Sequence, residues 1–250
     1  MFAPNRAQLS PNRQQLIRPN QQLINRAKTV PLALLKAKAI PTAEDKAFWN
    51  NRFTEHWFFL YELIDGEKFP ELKKFAKEKF AEWNRTPTNH TQDQLEELMD
   101  FKQMLFKRQD ARDPIGMIFP SLLKHMIMEL QHYLDLSAGK LTNEDQLNFH
   151  LKEGSEHSDL AGHLIDPMHP GLVLKNLNTG NTLASLIGVP PSDRTLSIVD
   201  QANTDAKTLL QGISAGQVKA LLTPMMLEHE IHESTWGQMK LEQLLAQAGM

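Results

Sequence analysis

The chain has 250 residues, 41% of them hydrophobic, and a formal net charge of −3, so it can bury a sizeable core in one or two domains. It has no cysteine, which excludes disulfides, thiolate nucleophiles and cysteine-based zinc or iron–sulfur sites and suits a reducing, cytoplasmic setting. No apolar run approaches the ~20 residues of a membrane span, so no membrane partner is expected, and no secretory apolar core stands near the start.

Residues 1–40 carry seven Lys or Arg and no acid, leaving 20 basic against 30 acidic side chains, or −10, in the rest. An acidic body with a basic arm speaks against a nucleic-acid partner. The arm holds a degenerate repeat, PNRAQLS, PNRQQLIR and PNQQLINR. Its prolines break any long helix, and its Asn, Gln and Arg bury little. Residues 1–40 are therefore expected to form a disordered basic tail.

A helical pattern begins at the capping-box-like Thr42-Ala43-Glu44-Asp45. Phe48, Phe53, Phe59, Leu60 and Leu63 follow near helical spacing to Asp65, with Gly66 as the stop. A shorter amphipathic helix is expected over 70–84, with Leu72, Phe75, Phe80 and Trp83, and another from Thr91 to near Arg108, with Leu95, Leu98, Met99, Leu105 and Phe106. Pro114 or Pro120 opens the next, since proline is tolerated in a first turn, and it runs to near Leu136 before Gly139. Thr142-Asn143-Glu144-Asp145 repeats the Thr42 cap and heads a helix to Ile165, stopped by Asp166-Pro167. Residues 167–192 hold four Pro and three Gly, which predicts mostly loop. A helix from near Ser192 to Leu210 follows, then a break at Gly212 and Gly216. The last helix is expected from near Gln217 to Ala248, with Pro224 as a kink. Strand signals are nearly absent, so the expected class is all-α.

The chain also matches itself. Glu55-His56…Leu63-Ile64-Asp65 is repeated 101 residues later as Glu156-His157…Leu164-Ile165-Asp166. Phe48 and Phe149 stand seven residues before each pair. Pro120…His125…Glu129 is repeated 104 residues later as Pro224…His229…Glu233. The period is too long for a solenoid and suits a duplicated, ferritin-like helical bundle: a tail (1–40), a first helical repeat (41–140) and a second (141–250).

The repeated residue types are metal ligands. His125 and Glu129, like His229 and Glu233, are four apart, so they lie ~40° from each other around a helix and face one point. Glu55 and His56, like Glu156 and His157, are ~100° apart, which leaves open which member of each pair faces the centre. Alone, each motif is an ordinary solvated surface or intrahelical pair. Together, on four helices, they are costly to bury unless paired or metal-bound. The candidate ligands are therefore Glu55, His56, His125, Glu129, Glu156, His157, His229 and Glu233. Bundles that hold two iron or manganese ions on carboxylates solve the burial problem in the same way. The donor set suits iron, manganese or zinc, one or two ions per chain.

Other polar residues near these motifs break the match. His132 stands three residues after Glu129, where the second copy has Trp236, and so belongs around the site rather than in it. His163 and His232 have no counterparts and are expected at or near the surface, and the counterpart of Glu153 is Arg52. Trp57, Phe58 and Tyr133 are expected in the core.

At these residues the chain resembles an uncharacterised bacterial family of two-repeat, ferritin-like metal-binding proteins. The resemblance rests on Phe48-Trp49…Glu55-His56 with Pro120…His125…Glu129, and on Phe149-His150…Glu156-His157 with Pro224…His229…Glu233. It spans about residues 42–248 and implies paired helical bundles around a metal centre, with no settled reaction. Three functions compete: a di-metal oxidoreductase handling O2, peroxide or a small molecule; a storage, sensing or structural-metal protein; and a metal-free helical scaffold for protein partners. The oligomeric state is left open.

Overall fold

A computed structural model describes residues 29–111 and 113–249. The repeats expected before residue 29 lie outside the described residues. Every regular element described is a helix: α1 Leu32–Leu35, α2 Ala43–Leu63, α3 Pro70–Trp83, α4 Gln92–Asp110, α5 Pro120–Ser137, α6 Asn143–Leu164, α7 Pro170–Ala184, α8 Asp193–Ser214 and α9 Pro224–Gln247. The all-α class follows directly. No described helix is long and apolar enough to cross a membrane.

The stretch α2–α5 and the stretch α6–α9 begin their helices in the same way. Thr42 and Thr142 each accept a hydrogen bond from the backbone N–H three residues on, while Asp45 and Asp145 reach back to the cap. Pro70 and Pro170, and likewise Pro120 and Pro224, occupy first turns, where the missing N–H costs nothing. Thr91 forms a further capping box with Gln94, and at the start of α8 Ser192 N donates to Thr195 Oγ1.

The ends of α2 and α6 are pinned alike. Ile64 turns extended and pairs with Gly116, and Ile165 pairs with Ala220. Asp65 N donates to Ile115 O (2.9 Å) and Met117 N to Leu63 O (3.0 Å). Their counterparts are Asp166 N to Lys219 O and Leu221 N to Leu164 O, both 2.8 Å. Gly116 has φ +150°, and a Cβ there would sit 2.1 Å from Leu63 O. The first pin therefore requires glycine.

Within each stretch the first helix packs on the second and the third on the fourth, while α2 meets α9 and α5 meets α6 across the middle. One apolar cluster, from Trp49, Phe53 and Trp57 through Leu123 to Leu227 and Ile231, runs through both stretches. Trp57 and Tyr133 are buried and Phe58 packs against the cluster, as expected of core residues.

Several sequence expectations need correction. Residues 29–40 are not a disordered tail: Val30 and Leu35 are buried against Leu147, Leu183 and Leu241, and Val30 N donates to Pro191 O. The span 167–192 is not mostly loop. Its two pairs of prolines sit at the edges, so Pro170 starts α7 rather than breaking it. Gly180 faces α6, where an added Cβ would lie 2.9 Å from Ser155 O. Its missing side chain permits close helix packing. Gly212 lies inside α8, and Gly216, at φ +69°, makes the break. Pro224 opens α9 instead of kinking a helix begun at Gln217. α2 stops at Leu63 through the Ile64 pin, before Gly66.

Candidate metal centre

Four histidines and two glutamates meet where α2, α5, α6 and α9 approach one another. His56, Glu129, His229 and Glu233 each bring one donor atom within 4.8 Å of all the others. His125, Glu129, His157 and Glu233 form a second such group. Donors ~2.1 Å from a common ion lie at most about 4.2 Å apart, so either group closes on an ion with small adjustments.

The groups share both glutamates through different oxygens. Glu129 Oε2 is 3.1 Å from His56 Nε2, and its Oε1 is 2.6 Å from His125 Nε2. Glu233 Oε1 is 3.0 Å from His229 Nε2, and its Oε2 is 3.4 Å from His157 Nε2. Each carboxylate thus faces two histidine pairs, one oxygen to each. The pairs cross the two stretches: His56 of α2 joins His229 of α9, and His125 of α5 joins His157 of α6.

The geometry separates the members of each Glu-His dipeptide. His56 and His157 turn their Nε2 atoms inward, while Glu55 and Glu156 stand beside the site. Glu55 Oε2 accepts from His229 Nδ1 at 2.6 Å, and Glu156 Oε2 from His125 Nδ1 at 2.7 Å. Of the eight sequence candidates, six form the donor groups, and Glu55 and Glu156 hold two of the histidines by their far nitrogens. A carboxylate in that place fixes the imidazole's tautomer and raises its basicity. The ~100° between adjacent helix positions lets one dipeptide do both tasks, its histidine facing the centre and its glutamate reaching the histidine of the facing helix.

A residue not foreseen holds a third histidine. Lys102 is fully buried on α4, with Nζ 2.7 Å from His56 Nδ1 and 2.8 Å from Met126 O. Burial lowers its pKa to about 7, against the pull of Glu129 and Glu233, so as a cation it donates to His56 Nδ1, and only as the uncharged amine can it accept from an Nδ1–H whose Nε2 holds an ion. It sits among Leu95, Leu98 and Leu105 on the apolar face of α4, and a lysine in that register was the available signal. His157 Nδ1, the fourth far nitrogen, is buried without a hydrogen-bond partner.

Without metal, charge is divided between the members of each histidine pair. Burial disfavours the charged form of all four. For His125 the Glu129 and Glu156 carboxylates outweigh it and hold the imidazole protonated well above its ordinary range. For His229, Glu233 and Glu55 do the same, to about 9. Burial and the neighbouring cations Lys102 and His125 keep His56 and His157, respectively, well below that range. Burial also opposes ionisation of both glutamates. His125 and His56 overcome it at Glu129, whose pKa is held well below the usual carboxylate range. At Glu233 burial and the Glu129 charge prevail, and the pKa rises.

The remaining polar candidates surround this centre. His132 is buried flat against Phe149, with ring centroids 3.6 Å apart, outside both donor groups. His163 is exposed. His232 contacts Arg52, which in turn pairs with Glu55 at 2.8 Å. Glu153 is fully buried, 3.1 Å from His150 Nδ1, and is also outside the donor groups. Burial and the nearby Glu233 and Glu129 raise its pKa well above the usual range.

Comparison with known proteins describes the fold more than the activity. No protein-family model matches the chain. The chain is similar to the uncharacterized protein L567 of Acanthamoeba polyphaga mimivirus, 22% identical across 82% of this chain and 81% of that one. Its fold is similar to the crystal structure of an uncharacterized protein from Bacillus cereus G9241, with a TM-score of 0.65 and 14% identity over 84% of this chain and 93% of the other.

Proposed function

We propose that this chain is a di-metal protein in which His56 and His229 would hold one iron or manganese ion and His125 and His157 another, with Glu129 and Glu233, which belong to both donor groups, contributing to each. The observation that carries this reading is the convergence of four buried histidines and two buried glutamates into two groups, the donor atoms of each lying within 4.8 Å of one another. Burying so many ionisable groups together is costly unless they are paired or metal-bound, and in the absence of metal their pairing rests on protonated His125 and His229 facing Glu129 and Glu233. Charge supports the same reading. Two divalent ions would be balanced by the carboxylates of Glu129, Glu233, Glu55 and Glu156. The matching caps and pins of the two stretches, and the way the paired phrases supply both ligand sets, support reading the chain as a duplicated, ferritin-like unit.

An oxidoreductase acting with O2 or peroxide is favoured over storage. A cavity of about 20 Å3, bounded by His56, Phe59, His125, His157, His229 and Glu230, abuts the donor atoms. A water-sized molecule needs roughly 10–15 Å3 by this measure. A pair of iron or manganese ions would supply redox chemistry toward dioxygen or peroxide. The protein would fix the ligands and exclude bulk water, with Phe59 and Leu160 along the wall.

Elemental analysis of protein purified without chelators, together with anomalous scattering from a crystal, tests the reading. It expects two ions per chain between the four histidines. Protein that takes up no iron, manganese or zinc after anaerobic reconstitution would rule it out.

A further inference from the structure

A second cavity lies beside the centre, where the second stretch lacks the bulk of the first. Aligned on the Glu-His phrases in α2 and α6, on Pro70 and Pro170, and on the Thr91 and Ser192 caps, the first stretch carries Phe53, Trp57, Trp83, Phe101 and Lys102. All are buried, and Trp57 packs on Trp83 and Phe101 with centroids 5.9 and 5.2 Å away. The corresponding residues of the second stretch are Gly154, Ser158, Leu183, Ala202 and Asn203. Large rings are replaced by small side chains, and all five line a cavity between α6, α7, α8 and α9.

This cavity has about 40 Å3 of room for the centres of water-sized spheres. At roughly 10–15 Å3 per sphere, it accepts about three or four non-hydrogen atoms. Leu147, Leu151, Leu227 and Leu241 give it an aliphatic wall. His157 and Glu230 line it and also line the small cavity at the donor atoms, so the two spaces share a partition. Lys175 and Asp205 form an ion pair of 2.8 Å, and Asp205 lies at the cavity's edge.

The partition contains an unfilled position. His229, His125 and His56 each have a partner at Nδ1: Glu55, Glu156 and Lys102. His157 Nδ1 has none. The counterpart of Lys102 is Asn203, but its amide donates to Gln238 Oε1 (2.6 Å) and Ser234 O (3.3 Å) instead. If Nε2 of His157 binds an ion, Nδ1 carries a proton and needs an acceptor. His150 Nε2, on a second lining residue, is also buried and unpartnered.

We propose that this cavity binds a small, uncharged aliphatic molecule bearing one hydroxyl group, of the size of a three-carbon alcohol, whose oxygen accepts from His157 Nδ1 in the place Lys102 takes in the first stretch. Treating the occupant as a substrate rests on the di-metal reading. The binding itself rests on the cavity and its unpartnered nitrogens.

The test uses 1-propanol, by calorimetric titration of metal-loaded and metal-free full chain and by soaking crystals. Two variants restore first-stretch residues: Ala202→Phe, the counterpart of Phe101, and the milder Ala206→Leu, the counterpart of Leu105. Melting curves establish that each is folded. The expected result is density for the alcohol against His157, with binding weakened at least tenfold in a folded variant whose metal content is unchanged. Only ordered water in the cavity at saturating alcohol, or undiminished affinity in the folded variants, overturns the proposal. A chain that binds propanol there but never takes up metal sustains the cavity assignment and rules out the di-metal reading.

Discussion

Replacing Glu55 by Gln tests the division of labour between the two halves of each Glu-His dipeptide. Gln keeps the size and an acceptor oxygen but removes the charge facing His229 Nδ1 at 2.6 Å. If Glu55 orients a ligand and does not bind the ion, loss follows the rule for outer partners of metal-bound histidines, about 10–100-fold in affinity. That is about 1.4–2.8 kcal/mol. Only the ion between His56 and His229 should be affected, because Glu156 supports His125 at the other position. Glu156→Gln should show the mirror result, and Glu129→Gln should weaken both ions, since its two oxygens serve both histidine pairs. Anaerobic calorimetric titration with Mn2+ resolves the two binding steps, and elemental analysis checks that two ions still load at saturation. The reasoning is refuted if Glu55→Gln weakens both steps alike, abolishes one ion as fully as His229→Ala, or leaves both steps at wild-type affinity.

Other measurements probe the frame and its charge. The His229 proton is held to about 9 in the fold against roughly 6.5 in an unfolded chain. It therefore stabilises metal-free protein fully below about pH 6.5, by up to about 3 kcal/mol, and that contribution is lost as pH rises toward 9. Metal-free protein should melt lower at pH 9 than at pH 6.5, while metal affinity rises over the same window because the proton must leave. A melting temperature that climbs with pH in metal-free protein would contradict this. Saturating Mn2+ at about 100 times its dissociation constant should add about 2.7 kcal/mol per site to unfolding, and an unchanged melt on chelation would argue against both sites. Trp83→Ala, at a fully buried position, should cost about 3–5 kcal/mol in denaturant titration. Thr142→Ala, which removes a capping box, should cost about 1 kcal/mol.

What could be read before the structure was known follows from the range of the forces involved. Caps and periodic apolar faces are local, so the starts of α2, α5 and α6 and the all-α class followed from short stretches of chain. The prolines of 167–192 misled because proline's meaning depends on its position in a helix. At Pro170 it is a first-turn residue, and the glycine at 180 is explained only by the closeness of α6. The repeated phrases contain all six side chains that converge at the candidate centre, since recurrence of His and Glu is visible in one dimension. Distinguishing His56 from Glu55 required the facing helix, which brings His229 to the glutamate. Lys102 needed a tertiary view as well: it reads as a flaw in an apolar face until His56 Nδ1 is placed beside it. Glu230, whose counterpart is Met126, lies outside the repeated phrases, and only the packed helices show that it lines both cavities.

The pairing of His56 with His229, and of His125 with His157, has a consequence for how such a chain can be divided. Cutting it in the turn at Gly139 would leave each fragment with one shared glutamate and one histidine for each position, so neither fragment would own a complete ion site. Two such fragments, even identical ones, would have to clasp each other to bind metal, and every change in one wall would be copied in the other. A single continuous chain is free of that constraint. It can keep Lys102 and a closed aromatic wall on one side of the candidate metal centre while opening the other around Asn203.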